Sequence, residues 1–227
     1  AALQTPEVEV LSVKISTIYS QILSIARKYT LQQLCDRMEL LYRQSQKAKY
    51  TRADGTEVPK FVYLDMEEYR DLPLTAATFM RTLSRPGLEK INAGIALQAY
   101  IPDSFAMQKR ITFWARDRVA CGGAPITIRI VKGANMEMER IDAALHDWPA
   151  APFQQKAETD ANYKQMLRYA LRPENLAAVH VGIASHNLFD VAYGLVLGTQ
   201  AEAGERVQFE MLEGMANHQR RALLERT

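Results

Sequence analysis

Several polar residues stand where a run of apolar, mostly β-branched residues gives way to a break: Lys14, Asp65, Gln98, Arg129, Lys132, His186 and Glu210. These residue types suit a small anionic or electron-rich ligand. A guanidinium such as Arg129 donates to a carboxylate or a ring nitrogen with fixed geometry. Lys14, flanked by apolar residues, could hold a substrate carboxylate or act as a Schiff-base nucleophile. Asp65, His186 and Glu210 are also possible donors to a divalent metal ion. Each has an ordinary use as well. Arg129 could pair with a neighbouring carboxylate, and Glu210 could be the buried partner of Arg129 or Lys14. Ser185 and Asn187 beside His186 are good helix N-caps. Glu67 and Glu68, next to Asp65, suit a helix N-terminus. Lys132 could be a solvated loop residue, and Gly133 a plain strand-to-helix turn or a point of close backbone approach to a ligand.

The elements that would position these residues alternate along the chain. Period-2 patterning predicts strands over Val8–Ile15, Lys60–Asp65, Ala93–Tyr100, Ile126–Val131, Ala178–Ile183 and Arg206–Met211. Helical spacing falls between them. Leu31, Leu34, Met38 and Leu41 share one face behind a capping box at Thr30 and Gln33. Met107, Ile111 and Trp114 share another, ending at Cys121-Gly122-Gly123. Thr51-Arg52-Ala53-Asp54-Gly55 reads as a turn, and no antiparallel hairpin is expected. Repeated βα units imply a parallel sheet. No G-x-G-x-x-G follows a strand, which argues against a dinucleotide-binding open sheet. A polar residue at every strand's C-terminal end favours a barrel, which gathers those ends around one pocket. The expected fold class is α/β, a (β/α)8 TIM-like barrel that is incomplete in this chain.

Composition excludes other classes. At 227 residues and 48% hydrophobic content the chain can bury one large core. A net charge of +2 is too mild to imply nucleic-acid binding. Cys35 and Cys121 match no metal spacing and form no disulfide framework, so a reducing cytosolic setting is expected. No apolar run approaches the roughly 20 residues of a membrane span. The start, Ala1-Ala2-Leu3, is neither a signal peptide nor an initiating Met, so the chain reads as a piece of a longer polypeptide.

Six stretches in order carry a resemblance: Ser12-Val13-Lys14-Ile15-Ser16, Leu64-Asp65-Met66-Glu67-Glu68, Leu97-Gln98-Ala99-Tyr100, Arg129-Ile130-Val131-Lys132-Gly133-Ala134, Ala184-Ser185-His186-Asn187 and Phe209-Glu210-Met211-Leu212-Glu213-Gly214-Met215. Together they resemble the proline dehydrogenase family, in particular the barrel of its bacterial bifunctional members. The resemblance implies non-covalent FAD at the strands' C-terminal ends and oxidation of proline to 1-pyrroline-5-carboxylate, with electrons passing to a membrane quinone. It implies that Arg129 sits at the flavin ring, that Gln98, Lys132, Gly133 and Ala134 contact the cofactor, and that Ser185, His186 and Asn187 lie along its phosphate and adenosine side. Lys14 would hold the proline carboxylate, with Asp65 and Leu212 shaping the pocket, so that Arg129 and Lys14 are the expected catalytic residues. No metal is implied, and NAD would serve only a second domain outside this chain. The parent would be a cytoplasmic homo-oligomer peripheral to the inner membrane.

The chain departs from the family in four respects. Asn135 follows Lys-Gly-Ala where an aromatic residue is frequent, and Glu213 stands where some members have His. An Asp-x-Leu-Gly-Glu motif and a Tyr-x-x-Arg-Arg motif are missing, Asn217 standing where the Tyr would precede Arg220-Arg221. Residues 1–227 are therefore expected to be a partial barrel domain, strands 2–7 of eight without strands 1 and 8 or the last helix. A Schiff-base aldolase barrel, a divalent-metal barrel and a non-catalytic scaffold stay open on the residues alone. The isolated 227-residue chain is expected to be inactive; flavin bleaching by proline, followed in the visible spectrum of the isolated chain, would contradict this.

Overall fold

The computed structural model describes residues 2–225; residues 1, 226 and 227, which the assignment of a domain over 1–227 includes, lie outside the described residues. Eight strands occur among the described residues: β1 Val10–Lys14, β2 Lys49–Thr51, β3 Glu57–Pro59, β4 Phe61–Asp65, β5 Gly94–Gln98, β6 Ile126–Val131, β7 Val179–Ala184 and β8 Val207–Glu210. The helices are α1 Ile15–Ile18, α2 Arg27–Lys47, α3 Leu72–Leu83, α4 Asp103–Ala120, α5 Met136–Leu145, α6 Lys156–Ala170, α7 Pro173–Leu176, α8 Leu188–Gln200 and α9 Asn217–Leu224. All six predicted major strands are present, each within a few residues of its expected span.

Six strands form one parallel sheet in the order β1-β4-β5-β6-β7-β8. The order follows the chain without reversal. A doubly wound sheet reverses and places its site at the switch point; a barrel runs on in one direction. The sheet also curls. Adjacent strands are spaced about 4.8 Å apart, so in a flat sheet β1 would lie about 14 Å from β6. Yet Arg129 on β6 donates to Ser12 on β1 at 3.2 Å and to Glu210 on β8 at 2.6 Å. Among the described residues β1 and β8 are the sheet's two edges and do not pair with each other. The fold is a curled parallel half-barrel.

Alternation along each strand sorts the two faces. Val62 and Leu64, Ile95 and Leu97, Ile128 and Ile130, and Val181 and Ile183 point to the helices and are essentially buried. They meet Leu34 and Met38 of α2, Phe79 and Leu83 of α3, Ile111 of α4, and Tyr163 and Met166 of α6 in one core. Full burial of each such side chain stabilises the fold by roughly 1.5–3 kcal/mol. The intervening residues line the concave face: Ser12 and Lys14, Tyr63 and Asp65, Gly94, Ala96 and Gln98, Thr127 and Arg129, Gly182, and Glu210.

Two local expectations are corrected. Thr30 does not cap a helix: α2 begins at Arg27, led in by a 3-10 turn over Ser24–Ala26, and the Thr30 hydroxyl donates to the Leu23 carbonyl instead. The capping box lies at α6, where Glu158 accepts from the Gln155 amide at 2.9 Å. An antiparallel hairpin also exists, β2 against β3. Its turn contains Gly55 at φ 84°, and Asp54 accepts from the Thr56 amide and hydroxyl. The strands are too short for alternation to show, although Asp54-Gly55 is itself a hairpin signal.

Arg118 joins α4 to the turn before β5. It is 9% exposed and has no carboxylate partner among the described residues. It donates instead to the carbonyls of Leu83, Leu88, Ile91 and Ala124. These donors satisfy the end of α3 and both sides of the turn. Arg118→Met keeps the aliphatic stem but removes four hydrogen bonds to carbonyls, three of them buried, and a buried acceptor left unmade costs about 1–3 kcal/mol. Urea denaturation is expected to show a loss of about 3 kcal/mol or more.

Candidate functional site

The concave face converges on Arg129. Strand β6 carries it toward the interior because Ile128 and Ile130 take the helix-facing positions. Its Nε donates to Glu210 Oε2 at 2.6 Å and one terminal nitrogen to Asp65 Oδ1 at 3.0 Å. The guanidinium carbon lies 3.7 Å from the centre of the Tyr63 ring, within cation–π range. Tyr63 in turn donates its hydroxyl to Glu210 Oε1 at 3.0 Å. Burial, reinforced by the Glu210 charge, pushes the Tyr63 phenol far above its ordinary range, so it remains a donor. Arg129 is 17% exposed, sheltered enough for strong pairing yet open to the concave side.

Missing side chains make room for this cluster. A Cβ on Gly94 would sit 2.2 Å from the Tyr63 ring, and one on Gly182 would sit 2.4 Å from Glu210 Oε1. Ala96 is the register neighbour of Arg129 on one side and Gly182 on the other. A larger residue at these positions would occupy the space of the charged groups.

A second group lies at the end of β1. Lys14 donates to Glu67 at 2.8 Å, and Ser16 donates to the same carboxylate at 2.8 Å. These bonds hold Glu67 below its usual carboxylate range. The amide nitrogen of Gln98 approaches the carbonyls of Met66 and Glu67, both at 3.4 Å, while its buried Oε1 has no partner. Asn135 also reaches the Glu67 carbonyl. The loop after β4 thus ties together Lys14, Gln98 and the start of α5.

Lys132 is not a solvated loop residue. It turns toward the helices and bridges Asp160 on α6 at 2.5 Å and Asp190 on α8 at 2.7 Å. Gly133 follows at φ 126°, where a Cβ would fall 1.8 Å from the Tyr100 ring. The glycine is therefore required by conformation and by space. Ala134 is exposed beside it. After β7, Ser185 donates to Asp190 at 3.3 Å and accepts from the Asn187 amide, while Asn187 caps α8 by accepting from Phe189. The capping role anticipated for Asn187 is present. His186 Nε2 accepts from the Leu212 amide at 3.0 Å, joining the loops after β7 and β8. Its Nδ1 is buried without a partner, and Leu212 is 67% exposed.

The structure thus brings Arg129, Asp65 and Glu210 together, places Lys14 and Gln98 around one loop, and sets Lys132 with Ser185 on the helix side. Period-2 spacing alone could have marked Tyr63 and Ser12, which share a face with Asp65 and Lys14. Asp160 and Asp190 carried no such signal, since only the packing of α6 and α8 brings them to Lys132.

This geometry opposes the divalent-metal reading and, for Lys132 alone, the Schiff-base reading. Asp65 and Glu210 both close on Arg129, and no group of three His, Cys, Asp or Glu among the described residues could hold a metal ion. A Schiff-base lysine needs a lowered pKa. Burial lowers that of Lys132, but its bonds to Asp160 and Asp190 outweigh burial and raise it.

The same ion pairs give a pH signature. Lys132 is raised above its ordinary 10.5, so its contribution to stability is complete below that value and is lost as pH climbs through the folded value. Asp160 is lowered beneath 3.8: burial raises it, but the lysines more than compensate. Its contribution is present above 3.8 and disappears as pH falls through the folded value. The stability difference between wild type and Lys132→Met should therefore be flat at neutral pH and shrink at both extremes, as urea titrations across pH would measure.

Comparisons agree with this architecture. The proline dehydrogenase family model matches residues 2–227. The structure of proline utilization A from Corynebacterium freiburgense is 40% identical with a TM-score of 0.89, covering 98% of this chain and 22% of that one. Proline utilization A from Bdellovibrio bacteriovorus, inactivated by N-propargylglycine, is 32% identical with a TM-score of 0.83, covering 94% and 21%. A third proline utilization A structure, with proline bound in remote sites, is 25% identical with a TM-score of 0.78. No match was found among curated proteins. This chain spans only about a fifth of these solved structures. With a match over almost its whole length and a sheet whose strands run in barrel order, the chain belongs to the proline dehydrogenase family.

Proposed function

We propose that this chain is the FAD-binding proline dehydrogenase module of a longer bifunctional enzyme and that its sheet supplies strands 2–7 of a (β/α)8 barrel. The family match over residues 2–227 carries the reaction, oxidation of L-proline to 1-pyrroline-5-carboxylate. The concave face has features that fit a flavin. Gln98 Oε1 is a buried acceptor without a donor, and His186 Nδ1 is a buried ring nitrogen without a partner. Gln98, Arg129, Gly133 and Ala134 would hold the cofactor, with Ser185, His186 and Asn187 toward its phosphate and adenosine side, while Lys132, engaged by Asp160 and Asp190 on the helix side, braces the end of β6 behind it. Bound FAD supplies the two-electron acceptor for proline oxidation.

The chain's own residues bind and orient. Arg129 presents a fixed guanidinium to the flavin ring, its charge offset by Asp65 and Glu210. Lys14 faces one carboxylate, Glu67, and is half exposed, so a proline carboxylate can join or replace that partner. Asp65 and Leu212 bound the substrate pocket. Electrons would leave for a membrane quinone, and glutamate semialdehyde would be oxidised with NAD in a second domain. We place the parent in the cytoplasm as a homo-oligomer peripheral to the inner membrane. No helix among the described residues is long and apolar enough to cross a membrane.

The full-length protein is expected to show an oxidised-flavin spectrum that bleaches when proline is added. Arg129→Met should lower turnover roughly a hundredfold, the scale of losing one preorganised donor at developing charge. A colourless wild-type protein, or unchanged turnover in the variant, overturns the reading.

A further inference from the structure

Arg129 owes its orientation to a set of side chains that the proposed reaction does not itself require. Glu210 accepts from its Nε at 2.6 Å, the shortest of its bonds. The other oxygen of Glu210 accepts from Tyr63 at 3.0 Å. The Tyr63 ring also lies under the guanidinium, 3.7 Å from its central carbon. Tyr63 therefore acts on Arg129 twice, directly by its ring face and indirectly through Glu210. The first contact runs from β4 to β6 and the second from β4 to β8. Each is accommodated by a glycine, Gly94 for the Tyr63 ring and Gly182 for the Glu210 carboxylate.

A guanidinium on a flexible stem has many rotamers, and fixing one carries an entropic cost unless neighbouring groups preorganise it. Asp65 and Ser12 approach one terminal nitrogen only. That leaves the planar guanidinium able to turn about the Cδ–Nε bond unless a second bond is made at Nε. Glu210 supplies that bond, and Tyr63 keeps its carboxylate from swinging away. We propose that Glu210 and Tyr63 are positioning residues for Arg129, clamping its guanidinium in the orientation in which it meets the cofactor, with Gly182 conserving the space the clamp needs. The proposal rests on the reading that Arg129 faces a flavin.

Glu210 also contributes charge. Its carboxylate offsets part of the Arg129 cation beside the site where the flavin gains electrons. Glu210→Gln keeps an oxygen for Nε but removes that negative charge, so electron gain becomes easier and the flavin midpoint potential rises. Glu210→Ala removes both charge and clamp. Gly182→Ala leaves every charge in place but forces the carboxylate aside, since the new methyl would lie 2.4 Å from Oε1. Tyr63→Phe removes only the hydroxyl bond and keeps the ring.

The test uses these four variants in the full-length protein, with flavin content, midpoint potential, kcat and KM for proline, and exchange of the Arg129 Nε proton by nitrogen-15 NMR. The expected result is a tenfold or greater loss of kcat in Glu210→Ala and Gly182→Ala, and a loss under about threefold in Glu210→Gln. Tyr63→Phe should fall between. KM should change little. The potential should rise in both Glu210 variants by an amount equivalent to at least a tenfold shift in the reduction equilibrium, about 30 mV for a two-electron couple, and stay near wild type in Gly182→Ala. The Arg129 Nε proton should exchange slowly in wild type and fast in Glu210→Ala. Equal kcat across all variants, or losses that only track lost flavin and lower Tm, overturn the clamp. So does an Nε proton that exchanges equally with and without Glu210. A wild-type protein that takes up no flavin overturns the functional reading instead, and the exchange measurement then decides the clamp alone.

Discussion

One cation at the centre of a curled sheet constrains much else in this structure. Arg129 is too sheltered to rely on water, so its charge must be met by protein groups. Those groups come from three other strands: Ser12 from β1, Asp65 and Tyr63 from β4, and Glu210 from β8. They can converge only if the sheet bends until its two edges face a common axis. The small residues beside Arg129, Ala96 and Gly182, are the complement of that convergence. A flat sheet could keep the same strand order and hydrophobic core but would leave Arg129 without most of its partners.

The two faces of the sheet divide the work. The convex face is a continuous apolar layer that meets α2, α3, α4 and α6, and it supplies the stability. The concave face carries polar groups whose burial is tolerated because they are paired. Loops at the C-terminal ends of the strands connect the two. The loop after β4 is held by Glu67 against Lys14 and Ser16 and by Tyr69, whose amide donates to Glu139 and whose hydroxyl donates to Asp103. The loop after β7 is held through Ser185 and His186. Lys132 links β6 to α6 and α8 from behind. The concave residues are therefore braced by neighbours rather than carried on free loops.

Charge is arranged in separate compartments. Arg129 has two carboxylates, Lys14 has one, and Lys132 has two of its own on the helix side. Of the concave cations, Lys14 is the more exposed and the less fully compensated. Under the proposed function this separation suits two different ligands, a ring system at Arg129 and a small carboxylate at Lys14. It also keeps Lys132 protonated and engaged, which disfavours carbonyl chemistry at that amine.

Much of this was legible in the sequence. Alternation in Ile126–Val131 placed Arg129 on the face opposite Ile128 and Ile130, and the strand has that arrangement. Repeated strand and helix patterns gave the parallel sheet, because a strand's period of two and a helix's period of 3.6 are local properties of the backbone. The strand-end polar residues were likewise visible one at a time. The hairpin was not, since three-residue strands are too short to show a period. Pairing was also beyond the sequence. Glu210 lies 81 residues from Arg129 and Tyr63 lies 147 from Glu210, so nothing in local spacing joins them. Lys132 read as readily as a loop residue as a ligand contact until α6 and α8 brought Asp160 and Asp190 to it. Residue types and periodicity determined which groups this chain offers and on which side of each strand. The curvature of the sheet decided which of them meet, because contact between distant strands depends on how the whole sheet closes around its core.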